Sequence, residues 1–288
     1  MKKLVGILAV LFCLSVQAQV LNFAESEQKL LELFKQMQAE TGDEQRIALS
    51  GQIEYELLLA LQDPLSFDYP FDSLTALGKV YADDRQLRVY TWNVSLKGGK
   101  AAAYGGIVQQ KQSKDQPYTV VSLKTPESVG SRPPGDKVLM ANEWYGALYY
   151  RAIPVKQKNR TYYVLLGWSA NDGETNFKVI EPLMFDSRNR LLLGRNLFRV
   201  ERKVQPRVIF EYGAQNRMTL EYDKKSKQII FDHLSPSSSQ YEGIYSFYGP
   251  DFSYDAYQLN KDRWQLMREI EPPKNTIEQE RPVFQIEK

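Results

Sequence analysis

The chain has 288 residues, 43% hydrophobic and 25% charged, with 37 Lys+Arg against 35 Asp+Glu. That composition excludes a disordered or collagen-like chain, and the length allows a sizeable core. A formal net charge of +2 lacks the basic excess of a nucleic-acid binder.

Lys2 and Lys3 precede an apolar run from Leu4 to about Leu14, and Val16 and Ala18 put small residues before a cut. Residues 1–18 therefore read as a secretory signal peptide. The run is shorter than the roughly 20 residues that span a bilayer. A buried N-terminal helix and lipid attachment at Cys13 are the alternatives, but Val10-Leu11-Phe12 lacks the small residues that precede a lipidated cysteine. Beyond Ala18, 35 basic and 35 acidic side chains balance and no cysteine remains. An exported chain of this kind has no thiol nucleophile, no Cys-ligated zinc and no disulfide framework. Its neutrality gives no charge-based case for nucleic acid as a partner. With no second long apolar run, no integral membrane segment is expected after the signal. The expected location is the periplasm, outer-membrane surface or extracellular space of a Gram-negative bacterium.

Residues 19–62 read as a helical hairpin. Leu30, Leu33, Phe34 and Met37 fall at helical spacing, and so do Ile47, Leu49, Ile53, Leu57, Leu58 and Leu61. Thr41 and Glu44 have the spacing of a capping box for the second helix. Each helix carries an apolar stripe that must pack on something else. Pro64 and Pro70 end the helical pattern and make 63–76 an aromatic-rich loop.

From Leu77 the period changes to two, and residues 63–271 read as an antiparallel β domain. Gln86 to Val94 alternates polar and apolar residues, while Thr161 to Trp168 is a denser apolar run. Further strands are expected at 208–212, 218–222, 228–231, 244–248, 252–259 and 264–270. Turn signals recur between them, at Lys97-Gly98-Gly99-Lys100, Asp115-Gln116-Pro117, Asn171-Asp172-Gly173 and Asp223-Lys224-Lys225. Without interleaved helices, this predicts antiparallel meanders rather than βαβ units. Roughly 12 to 15 strands exceed one open twisted sheet, so a sandwich, a barrel or a small propeller-like domain is expected. The Pro/Gly/Ser-rich stretch 126–140 marks a subdivision or one long loop, and 272–288 an extended tail.

Chemistry-bearing patterns are sparse. His233 is the only histidine, which excludes a histidine-rich metal cluster. Asp232, its sequence neighbour, would point to the opposite face of a strand, and no Gly-x-Ser-x-Gly elbow supplies a nucleophile. Asn171, Asp172 and Glu174 offer oxygen donors for calcium, yet flanking strands explain the same residues as a turn. Asp251 with Asp255, and Asp232 with Glu242, are the candidate carboxylate pairs for a carbohydrate-active hydrolase. Trp144, Tyr145, Trp168, Tyr248 and Tyr254 are candidate ligand-binding platforms, against the equal suitability of aromatics for a β core. No phosphate-binding loop is present, so no nucleotide cofactor is expected.

Phe67-Asp-Tyr-Pro-Phe-Asp-Ser-Leu, Arg88-Val-Tyr-Thr-Trp-Asn, Leu166-Gly-Trp-Ser-Ala-Asn-Asp and Tyr248-Gly-Pro-Asp-Phe-Ser-Tyr-Asp-Ala-Tyr occur in that order. In this order the chain resembles exported β-rich proteins of Gram-negative bacteria that have no assigned activity. The resemblance covers about residues 63–270 and implies export, with no functional residue to carry over. The expectation is a non-enzymatic binding or envelope-associated protein whose partner is a glycan, a peptide or an envelope protein. A hydrolase using paired carboxylates is the alternative, and assembly through the helical hairpin a third reading.

Overall fold

The computed structural model describes residues 22–97, 103–111, 118–126, 132–158 and 160–271. The expected signal peptide and the tail from Pro272 lie outside the described residues, as do Gly98-Gly99 and Asp115-Gln116-Pro117. The protein is mainly β, with two N-terminal helices: α1 (Phe23–Ala39) and α2 (Asp43–Leu61).

The strands form three sheets among the described residues. The first is a meander in chain order: β1 (Gly78–Tyr81), β2 (Leu87–Val94), β3 (Ala103–Lys111) and β4 (Tyr118–Leu123). The second contains β5 (Leu139–Met140), β6 (Leu148–Gln157), β7 (Arg160–Ala170), β8 (Thr175–Phe185) and β9 (Leu191–Leu193), in the order β5-β9-β8-β7-β6. β10 (Phe198–Val200) and β11 (Lys203–Gln205) begin the third sheet, and β12 (Val208–Gly213) returns to pair with β8. β13 (Leu220–Asp223), β14 (Gln228–Pro236), β15 (Tyr248–Asn260) and β16 (Arg263–Met267) complete the third, ordered β11-β10-β16-β15-β14-β13. The 126–140 stretch joins β4 to β5 and so passes from the first sheet to the second. One departure from the antiparallel expectation is the β10–β16 pair, which is parallel.

Layering follows from which faces are apolar. The helices bury Leu30, Phe34, Ile53 and Leu57 against Tyr90, Trp92, Val94 and Ile107 of the first sheet. The other face of that sheet, Leu87, Val89 and Val108, packs on Tyr163, Leu165, Phe177 and Val179 of the second. The second sheet's opposite face, Tyr162, Val164, Leu166 and Ile180, packs on Phe198, Ile229, Phe231, Tyr257 and Trp264 of the third. The result is helices, sheet, sheet, sheet. Because both faces of the first two sheets are covered, β2 is buried at every position but Asn93. The alternation expected for Gln86 to Val94 therefore does not divide core from solvent.

Arg88 shows how the sequence meets that constraint. It lies on the helix side of β2, 1% exposed. Its guanidinium donates to the carbonyls of Phe67, Tyr69 and Pro70 at 2.6–3.0 Å and lies 4.4 Å from the Tyr81 ring centre. A planar fork of donors can satisfy several carbonyls at once, which a lysine cannot. Arg88 thereby fixes the 63–76 loop to the sheet.

Two local expectations are corrected. The N-cap of α2 is Gly42 and makes no side-chain cap bond, so the Thr41–Glu44 capping box is absent. The Glu40 carboxylate takes the Thr41 and Gly42 amides instead, at 2.7 and 2.9 Å. The strand expected at 244–248 is a 3-10 turn, Tyr245–Phe247, before β15 begins.

Candidate functional site

The sequence-derived candidates separate in space. Trp144 and Tyr145 are core residues, 0% and 4% exposed. Trp144 Nε1 donates to the Tyr149 hydroxyl at 3.1 Å, and the Tyr145 hydroxyl donates to Glu181 at 2.8 Å. Their rings are spent on packing and offer no platform. Trp168 is half-buried on β7, in register with Lys178 of β8. Tyr248 and Tyr254 lie on β15: the Tyr248 hydroxyl accepts from Gly243 N, and Tyr254 is the strand partner of Asp232 on β14.

Asn171, Asp172 and Glu174 form the β7–β8 turn. Asn171 Nδ2 donates to Thr175 Oγ1 at 2.7 Å, and Asp172 Oδ1 accepts the Glu174 and Thr175 amides at 3.0 Å. Burial alone would raise the Asp172 carboxyl, but those amides hold it below its usual range. Internal bonds thus account for the turn. Among the described residues, no group of three or more His, Cys, Asp or Glu is arranged to hold a metal ion.

The site that does assemble is the β14–β15 end of the third sheet. Asp232 pairs with Tyr254 and Leu234 with Pro250, so one residue of β14, His233, opposes three of β15. That bulge gathers the side chains. His233 Nδ1 lies 3.0 Å from Asp255 Oδ2, and Nε2 lies 4.0 Å from Asp251 Oδ2. Asp255 is 3% exposed and also accepts from Glu269 N at 3.0 Å and Arg268 Nη1 at 3.4 Å. Ser253 donates its hydroxyl to Asp251 at 2.7 Å. For Asp251, burial raises the carboxyl, but the Ser253 bonds and the nearby His233 outweigh it and leave it below the usual range. Asp232 moves the other way, raised by burial, although its Oδ2 accepts the Thr219 amide at 2.6 Å.

The same bulge presents Phe252. Its φ is 70°, in the left-handed region that L residues with bulky side chains avoid. Phe71 shares that conformation at φ 56°, but its ring is fully buried beside Arg88. Phe252 is 93% exposed. Its strain has no compensation in core packing.

The connection between β14 and β15, residues 237–247, forms an aromatic tip. Ser237 N donates to Phe247 O at 3.0 Å, and Gly243 N donates to the Tyr248 hydroxyl at 3.0 Å. The Tyr241 and Phe247 rings stack at 4.0 Å. Gly213, at the end of β12, has no Cβ where Ser246 O approaches, so the tip rests directly on that backbone. Arg132 bridges to Glu211 and covers the Tyr245 ring at 5.4 Å. On this fixed frame Ile244 is 49% exposed and Phe247 43%. The sequence reading missed Ile244, Phe247 and Phe252 as site residues. Their only signal is density of apolar residues beside Ser235 to Ser239 and Pro250, where turns rather than core are expected.

Comparison with known proteins finds no matching family model, no matching curated protein and no matching solved structure.

Proposed function

We propose that the chain is an exported, non-enzymatic binding protein that holds a glycan of the cell envelope against the aromatic tip of its third sheet. Phe252 carries this reading: a strained backbone and a bare ring are two costs that the fold itself does not require. Ile244 and Phe247, in the connection between the same two strands, expose further apolar side chains. Asp251, Ser253 and His233 supply donors and acceptors beside it, the combination that a polyhydroxylated ligand with apolar ring faces needs. Export rests on the N-terminal sequence pattern. Among the described residues no helix is long and apolar enough to cross a membrane.

The hydrolase alternative has less support. Asp255 is buried and engaged by His233, Arg268 and the Glu269 amide, and the Ser253 bonds and nearby His233 hold the Asp251 carboxyl below its usual range, which disfavours it as a general acid. Asp232, raised by burial, is 7% exposed and accepts the Thr219 amide. Calorimetric titration of the purified protein with envelope oligosaccharides, peptidoglycan fragments and peptides tests the proposal. Heat from a glycan supports it. Heat from peptides alone replaces the ligand class, and a silent titration for every glycan removes it.

A further inference from the structure

The charges beyond Ala18 balance in number but not in space. Three hairpin turns lie at the end of the molecule opposite the aromatic tip: β6–β7 (156–160), β13–β14 (224–227) and β15–β16 (260–263). β14 runs for nine residues from Gln228 at these turns to Pro236 at the tip, roughly 25–30 Å of extended chain. The turns are neighbours. Gln258 pairs with Gln228, and its Nε2 donates to the Ser226 and Lys227 carbonyls at 3.4 and 3.5 Å, which joins the two turns of the third sheet. Asp262 and Arg195 both act electrostatically on the Tyr162 hydroxyl, and Arg195 donates to Gln157 at the end of β6. The β6–β7 turn therefore sits beside the β15–β16 turn.

Lys156, Lys158 and Arg160 are exposed on the first turn, Lys224, Lys225 and Lys227 on the second, and Lys261 and Arg263 on the third. Asp262 is the one exposed carboxylate among them. Asp223, at the base of the second turn, is buried and taken by the Lys225 and Ser226 amides. Lys224 lies 3.5 Å from Asp83 and is the only one of these basic residues in an ion pair among the described residues.

The backbone adds a second observation. Lys158, Lys227 and Lys261, one in each turn, have φ of 53°, 55° and 56°. Glycine or asparagine takes that conformation at least cost. The tip end uses glycine in this way, Gly173 in the β7–β8 turn and Gly243 in the tip, and otherwise Glu201, Phe252 or Glu269. The opposite end keeps a lysine in each of three turns where the backbone favours its loss.

Most of these residues are lysines, hydrated point charges on flexible stems rather than the planar forks that clasp one phosphate. Among the described residues no large apolar side chain is exposed on the three turns, so nothing there inserts between acyl chains or stacks on bases. Positive charge spread over one end without apolar contacts suits a flat anionic surface. We propose that this end adsorbs to an anionic phospholipid membrane through the headgroup phosphates. The aromatic tip then points away from the bilayer. The choice of lipid among polyanions rests on the export reading, and the glycan reading is independent of it.

Co-sedimentation of the exported chain, from Gln19, with vesicles tests this. Phosphatidylcholine alone is compared with phosphatidylcholine and phosphatidylglycerol in equal parts. Lys158→Asn/Lys227→Asn/Lys261→Asn removes one charge per turn with a residue that tolerates the same φ. Arg199→Gln/Arg202→Gln/Lys203→Gln is the charge-matched control, in the β10–β11 hairpin that points toward the tip end. The expected result is binding to the anionic vesicles alone, lost between about 0.1 and 1 M salt as the screening length falls from ~10 to ~3 Å. The lysine variant should bind at least about tenfold more weakly, at an unchanged or higher melting temperature, and the control variant like wild type. No binding to anionic vesicles at low salt overturns the proposal. So does equal binding to neutral vesicles, or equal loss in the two triple variants. A DNA duplex bound more tightly than the anionic vesicles, with the same dependence on the three lysines, overturns the lipid assignment.

Discussion

Glu181 and Arg207 form an ion pair at 2.9 Å in which both side chains are fully buried. Glu181 comes from β8, Arg207 immediately precedes β12, and the two strands pair directly. Arg207 also donates to the carbonyls of Lys137 at 2.6 Å, Leu193 at 3.1 Å and Pro134. It thus ties the approach to β5 and the end of β9 to the same point. Deleting one partner strands a charge in the core, at a cost of about 3–5 kcal/mol. Arg207→Met or Glu181→Leu should lower the urea midpoint accordingly. The double variant should lose less than the sum of the two, because no charge is stranded although the three carbonyls still lose their donor, and additive losses would show that the pair is not the reason.

Gly105 on β3 lies opposite Trp92 on β2, and a Cβ there would overlap the indole ring. Trp92 is 1% exposed and donates to Ser50 Oγ of α2 at 2.8 Å, so it is the rivet between helices and sheet. Gly105→Ala should destabilise by about 1–3 kcal/mol through overpacking. Hydrogen exchange should show α2 opening first. Uniform loss of protection across all layers would contradict that assignment.

Lys178 projects from β8 between the second and third sheets, with Nζ 3.3 Å from the Tyr150 hydroxyl. Burial lowers its value from 10.5 to about 8, against the opposing pull of the Glu221 and Asp232 carboxylates. Between about pH 8 and 10.5 the unfolded chain binds the proton that the folded chain has released, so stability from this group rises with pH across that window. Lys178→Met should therefore be more stable than wild type at pH 7, by a margin that shrinks towards pH 10. A margin independent of pH in denaturant titrations would contradict the account.

The helical hairpin is legible in the sequence because Leu30, Leu33, Phe34 and Met37 repeat at the helical period. The mainly β character is legible from turn spacing. The number of layers is not, because burial on both faces erases the alternation that marks a one-sided sheet. Arg88 looks like a solvent-facing strand residue until the 63–76 loop supplies its carbonyls. The candidate site is hidden for a related reason. Asp232 is the carboxylate nearest His233 in sequence, yet the bulge gives that place to Asp255 and Asp251 from the neighbouring strand. Register shifts of this kind arise from strand pairing and leave no local pattern. The missing Thr41–Glu44 capping box is a smaller case: the Glu40 carboxylate takes the Thr41 and Gly42 amides ahead of α2, and Arg46 donates to Glu40 O at 2.7 Å.

Phe252 is the residue on which the functional account turns. Phe252→Gly removes the exposed ring and relieves a left-handed conformation that costs a bulky L residue roughly 1–2 kcal/mol. The direct measurement is calorimetric titration of wild type and Phe252→Gly with the same envelope glycans, alongside their melting temperatures. The account predicts a glycan affinity at least tenfold weaker in the variant, about 1.4 kcal/mol, at an unchanged or higher melting temperature. Equal affinity in the two proteins would contradict it.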